Sequence, residues 1–216
     1  SYHSMAITDA GLYTWGDNGG AQLGDGTHID RSLPVKVVFP SGVKALVAIA
    51  GGGLHSLAIT GNGVYAWGNN TFGQLGDGTT TVRLQPTKVT FPKNGAPTTV
   101  TAIAAGFWHS LAIGDGSVFG WGYNGNGELG NGTVTDRWVP VRTVFPKSKT
   151  PVIATAIAAG SMHSLAATDK GLYAWGNNSY GQLGMTGATR YTATKVTAES
   201  NVIAVGAGYY HSLALH

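Results

Sequence analysis

His55-Ser-Leu-Ala-Ile-Thr-Gly-Asn-Gly-Val-Tyr-Ala-Trp-Gly68 is the stretch whose reading decides the fold. Two short apolar runs flank Gly61-Asn-Gly63, and an Asn-Gly turn between alternating runs is the sequence form of an antiparallel hairpin. Side chains alternate across a strand, so Tyr65 and Trp67 share one side and Val64 and Ala66 the other, just as Ser56 and Ala58 oppose Leu57 and Ile59. This alternation predicts a sheet with one bulky and one small apolar face. Both faces need cover, and neighbouring copies of the same sheet can supply it.

Upstream of this stretch lies an Ala/Ile-rich run, Val47 to Gly51. Downstream lie Asn69-Asn70, the loop Gln74-Leu-Gly-Asp-Gly-Thr79, Arg83 and a last run from Pro86 to Val89. The whole unit recurs. Trp-Gly pairs stand at Trp15, Trp67, Trp121 and Trp175, spaced 52, 54 and 54 residues apart, and His-Ser pairs begin at His3, His55, His109, His163 and His211. A fixed period of this length marks a repeat architecture, and no segment shows a sustained helical period. The expectation is an all-β chain: a β-propeller over residues 1–216, built from four repeats of about 54 residues, each a four-stranded antiparallel blade. In the fourth unit Met185-Thr186 replaces the Asp-Gly and no Pro precedes Lys195-Val196, so its outer strand or loop is where a departure is expected.

Composition narrows the function. The 216 residues include 34 Gly and 8 Pro, and only 11% are charged against 43% hydrophobic, which describes a turn-rich globular chain. Thirteen Lys and Arg against ten Asp and Glu give +3, with no run of basic residues, so nucleic acid is not an expected partner. No stretch approaches the roughly 18 apolar residues of a membrane span. The absence of cysteine excludes disulfides and thiolate chemistry. Because the first residue is Ser1, the chain reads as a processed product or a piece of something longer.

Gly106-Phe-Trp-His-Ser110, Trp67-Gly-Asn-Asn70 and Gly73-Gln-Leu-Gly-Asp-Gly78 stand in the order found in the regulator of chromosome condensation repeat family, which the chain resembles over essentially its whole length. The resemblance implies a β-propeller. Rings of this kind close with about seven blades, roughly 380 residues at this period, so four units imply part of a larger ring or a ring completed by oligomerisation. The regular units look like those of bacterial repeat proteins, which would suit a secreted or cell-surface location.

Five histidines in register suggest a metal, but equivalent positions on successive blades lie about 10 Å apart and ligands lie about 2 Å from their ion. A repeated hydrogen bond to the neighbouring backbone is the expected role. Gly125-Asn-Gly-Glu-Leu-Gly130 matches a dinucleotide-binding pattern literally, yet no helix is expected after it, and it aligns with the repeat loop, Glu128 standing where Gln22, Gln74 and Gln182 stand. The acids sit mostly in turns, and no nucleophile elbow or acid/base pair is marked. Asn69, Asn131 and Asn177 open Asn-x-Ser/Thr triplets that the repeat itself explains. No cofactor, metal or catalytic site is expected, and the chain reads as non-enzymatic. Phe39, Phe91 and Phe145 each precede a Pro and open longer, solvated loops carrying Lys93, Lys147 and Lys149.

Recognition should therefore reside where the repeats differ. The residues before each His-Ser pair read Ser1-Tyr2, Gly53-Leu54, Phe107-Trp108, Ser161-Met162 and Tyr209-Tyr210, side chains that a solvated turn does not need. The candidate partner-binding residues are Tyr2, Leu54, Phe107, Trp108, Met162, Tyr209 and Tyr210, with Trp138 as a further candidate; the competing expectation is that these rings line the channel. Branches of the family, including plant UV-B photoreceptors and bacterial β-lactamase inhibitors, use aromatic loop residues for dimerisation or protein capture. Trp108 stands without the surrounding Trp cluster and Arg that light sensing needs. The resemblance also implies, as alternatives, guanine-nucleotide exchange on a small GTPase, or a purely structural cell-surface role.

Overall fold

The computed structural model describes residues 2–196 and 201–216, and among these every regular element is a strand. Three complete blades follow one another: β4 (Leu46–Gly51) to β7 (Arg83–Lys88) through β5 (His55–Thr60) and β6 (Gly63–Gly68); β8 (Val100–Ala105) to β11 (Arg137–Arg142) through β9 (His109–Gly114) and β10 (Ser117–Gly122); and β12 (Ala154–Ala159) to β15 (Arg190–Lys195) through β13 (His163–Thr168) and β14 (Gly171–Gly176). Each is a four-stranded antiparallel meander. Before them stands a three-stranded sheet, β1 (His3–Thr8), β2 (Gly11–Gly16) and β3 (Arg31–Lys36), and after them a pair, β16 (Ala204–Ala207) and β17 (Ser212–Leu215). The inner strands β4, β8, β12 and β16 pack in succession. The fourth outer strand, despite its altered sequence, pairs in the same register, with Tyr173 opposite Lys195 as Tyr65 is opposite Lys88.

Register corrects one expectation. Ser56 lies opposite Trp67 and Ala58 opposite Tyr65, while Leu57 lies opposite Ala66 and Ile59 opposite Val64. Each face is therefore a mixture of large and small residues, because a hairpin sets the small side chains of one strand beside the large ones of the next. Blades interlock through these mixed faces: Leu57, Val64 and Ala66 pack against Ala112 and Trp121 of the following blade. Trp67, Trp121 and Trp175 are fully buried. A Trp burying about 200 Å² contributes about 5 kcal/mol at 25 cal/mol per Å², which makes it the largest single contact of each interface.

The repeat glycines explain themselves at these contacts. Gly24 and Gly76 have φ of +69° and +67°, and a Cβ there would lie 2.6 and 2.8 Å from the indole nitrogens of Trp67 and Trp121. Phe39, Phe91 and Phe145 also face inward. Each ring meets the next blade edge-on, Phe39 at 5.8 Å from Tyr65 and 5.9 Å from Trp67, Phe145 at 5.1 Å from Tyr173. The Phe-Pro loops are thus stapled to the neighbouring blade at their start, and only their later residues are solvated.

The end sheets lack such cover. Leu213 and Leu215 are 65% and 59% exposed, whereas the equivalents of the first, Leu57, Leu111 and Leu165, and of the second, Ile59, Ile113 and Ala167, are buried. Trp15, equivalent to the buried Trp67, is half-exposed on the first sheet.

Candidate protein-interaction face

The repeated histidines lock each blade to the next. His55 Nε2 lies 2.9 Å from Ser110 Oγ, His109 Nε2 2.9 Å from Ser164 Oγ and His163 Nε2 3.0 Å from Ser212 Oγ. Ser110 in turn donates to the carbonyl of Gln74, which also accepts from Trp121 Nε1. With the serine hydroxyl spent on the carbonyl, His Nε2 is the donor. Burial holds His55 and His109 near 3 and His163 near 4, so the imidazoles are neutral. The expected bond to neighbouring backbone is made through a serine relay rather than directly. Among the described residues no three His, Asp or Glu side chains converge as a metal site would require.

Gly106 N donates to His109 O at 2.8 Å, and Gly160 and Gly208 do the same in their turns. These turns fix where the next two side chains go. The first of each pair, Gly53, Phe107, Ser161 and Tyr209, lines a cavity of about 180 Å³ where the inner strands β4, β8, β12 and β16 end. The second, in the third and fifth sheets, meets a neighbouring loop: Trp108 lies 5.4 Å from Phe72, and Tyr210 lies 4.6 Å from Tyr180. The aromatics are therefore divided between this cavity and the neighbouring loops, and Phe107 joins the two sets.

The result is an unbroken row of rings. Tyr123 meets Phe72 at 5.1 Å, Phe72 meets Trp108, Trp108 meets Phe107 at 4.8 Å, Phe107 reaches Tyr209 at 5.8 Å, and Tyr209 meets Tyr210 at 4.5 Å before Tyr180 ends the row. The small Ser161 leaves the gap that Phe107 and Tyr209 bridge. Tyr180, Tyr209 and Tyr210 are exposed and the other four rings half-buried. Of the sequence candidates, Phe107, Trp108, Tyr209 and Tyr210 are brought together. Tyr2 is exposed, Leu54 and Met162 are half-buried, and these three stand at equivalent turns outside the row; Ser1 lies outside the described residues. Trp138 is exposed but packs on Gly73, beside Phe72. Phe72, Tyr123 and Tyr180 were not among the sequence candidates. The signal for them was present in the loop after Trp-Gly, where the other repeats carry Gly20, Asn126, Asp17, Asn69 and Asn177 at the same two positions.

Beneath Tyr123 lies Glu128, fully buried. Its carboxyl accepts from Asn126 N at 2.9 Å and Asn126 Nδ2 at 2.8 Å, and burial raises it to about 7. The Gly125–Gly130 stretch is followed by no helix and wraps this buried acid.

This is a propeller of hairpin blades, with a regular hydrogen-bonded frame and an aromatic face made by its irregular positions. The chain belongs to the regulator of chromosome condensation (RCC1) repeat family, whose repeat matches residues 9–59, 62–113, 115–167 and 169–215. It is 34% identical over 187 residues to the ultraviolet-B receptor UVR8 of Arabidopsis thaliana, covering 85% of this chain and 41% of that protein. Among solved structures it is similar to human WBSCR16, with a TM-score of 0.88 and 28% identity over 100% of this chain and 56% of that one. It is also similar to Prp20p of Saccharomyces cerevisiae, with a TM-score of 0.78 and 25% identity over 99% and 53%. The chain thus spans about half or less of these relatives. They come from plant, animal and yeast, so the bacterial character expected of the repeats is not supported.

Proposed function

We propose that this chain is a non-enzymatic protein-binding propeller segment whose partner seats on the aromatic row from Tyr123 to Tyr180. The observation that carries this reading is the continuity of the row: seven rings from four sheets touch in sequence, although the frame needs none of them at those positions. Exposed and half-buried aromatics clustered on one surface are the residue types that dominate interface energetics. The related Prp20p is described by its binding to Gsp1p and histones, which supports protein capture as the use of such a face.

The test is Trp108→Ala with Tyr210→Ala. Both lie in loops outside the serine relay, so the fold should survive while capture from a cell extract weakens by about 30-fold or more, the loss of one or two anchors of about 2 kcal/mol. Partners retained equally by both proteins would reject the site. Nucleotide release from a panel of small GTPases addresses the exchange-factor reading, and acceleration there would displace this proposal. The uncovered Trp15 and Leu213/Leu215 faces are the two halves of the contact made between blades, so further blades of the same type, from a second copy or a longer chain, would complete the ring. Sedimentation of the 216-residue chain distinguishes these, self-association pointing to a second copy.

A further inference from the structure

Strand register divides the charges between the two ends of the sheets. Every fourth strand runs from an arginine beside the Trp-Gly turn to a cation at the far end: Lys36, Lys88, Arg142 and Lys195. Lys44, Lys93, Lys147 and Lys149 lie in the loops joining those ends to the next inner strand, and Lys170 is at a hairpin tip. All eight lysines and Arg142 therefore stand at the end opposite the aromatic row, about 20 Å away across six-residue strands. Three acids share that end. Asp115 is occupied by Thr98 N, Thr99 N and Thr98 Oγ1, and Asp169 by Ile153 N and Lys170 at 2.9 Å, leaving Asp9. Nine cations against three acids make a net of +6, whereas the aromatic end, with four arginines and six acids, has −2; Glu199 lies outside the described residues.

We propose that this basic end docks on an anionic lipid bilayer, leaving the aromatic row facing away from it. The cations are spread over all four repeats rather than gathered in a groove, which suits an extended, laterally uniform plane of charge. A peptide strand or a nucleic-acid backbone would reach two or three of them at a time. Eight of the nine are lysines, compact charges that attract at range without the planar fork that reads a particular carboxylate or phosphate. Between them stand two exposed aliphatic side chains at the same end, Val47 near the start of β4 and Ile153 beside the Asp169 hairpin tip, suited to shallow contact with the interface.

The experiment is flotation with vesicles of phosphatidylcholine alone or with about 30% phosphatidylserine, a content that gives a strongly negative surface. The chain should float with the anionic vesicles, stay behind with neutral ones, and detach at about 0.5 M salt. Replacing Lys44, Lys93, Lys147 and Lys149 together by Gln should weaken binding about 600-fold, about fivefold for each lysine, with an unchanged melting temperature. The Trp108→Ala, Tyr210→Ala protein should float like the parent, which separates this proposal from the protein-capture reading. Equal binding to neutral vesicles, no binding to anionic ones, an unaffected lysine variant, or tighter binding to duplex DNA or polyglutamate than to the vesicles would each overturn it.

Discussion

Glu128→Gln should stabilise the protein in a way that depends on pH. Glu128 is fully buried, and burial raises its carboxyl from 4.5 to about 7. Below about 4.5 the group is protonated whether the chain is folded or not, and it carries no penalty. Between 4.5 and 7 the unfolded chain releases the proton while the folded one keeps it, so stability falls as pH rises. Above 7 the penalty is complete, about 3 kcal/mol at 1.36 kcal/mol per pH unit. Glutamine, the residue of the other three repeats, has no such ionisation, and its Oε1 can keep the Asn126 N bond as Gln74 Oε1 keeps that of Phe72 N. The two proteins should therefore melt alike near pH 4.5 and diverge to about 6–12 °C by pH 8, at 2–4 °C per kcal/mol for a chain of this size. Thermal denaturation of both proteins at intervals from pH 4.5 to 8.5 measures this directly. A difference that stays constant across the range, or that grows toward acid, would refute the account of Glu128 as a buried acid carrying a desolvation penalty.

Gly106→Ala should fold poorly or not at all: a Cβ there would overlap the His109 ring and stand 2.7 Å from the Gly160 carbonyl of the next blade, and the loss should exceed about 3 kcal/mol in urea titration. Acid should unfold the parent through its histidines. Their folded pKa values are depressed, so the stability present above the unfolded value of about 6.5 is lost progressively as pH falls toward 3. In the Glu128→Gln protein, where the opposing carboxyl is gone, that decline should be seen without offset by following fluorescence from pH 7 to 3.

The fold was legible because its determinants repeat. Trp-Gly, His-Ser and Gln-Leu-Gly recur at one spacing, and each proves to be part of a single contact between blades, the Gln carbonyl accepting from both the Trp and the Ser of the next repeat. The site was half-legible. Phe107, Trp108, Tyr209 and Tyr210 are exceptions at a position easily aligned, next to His-Ser. Phe72, Tyr123 and Tyr180 occupy two different positions of a longer loop, and only the approach of neighbouring sheets brings them to the first four. The basic end was invisible to a search for charge runs for the same reason. Lysines as far apart as Lys36 and Lys195 are gathered by strand register, not by sequence proximity.

The third repeat shows how a recognition surface arises from a frame this regular. In its siblings the residue after Trp-Gly is Asp17, Asn69 or Asn177, and its side-chain oxygen accepts the amide of Gln22, Gln74 or Gln182 at 2.6, 2.8 and 3.0 Å. The same side chains also cap the backbone of Gly19, Thr71 and Ser179, the asparagines through the same oxygen and Asp17 through its other one. That side chain is held down and has no freedom to meet a partner. Glutamate at 128 has no N–H to donate, so the bond cannot form, and its carboxyl takes both donors of Asn126 instead. Position 123 is thereby released from its role in the loop, and Tyr123 turns its ring to Phe72. The buried acid and the exposed ring are one change in two places: the frame gives up a neutral amide, and the face gains the first ring of its row.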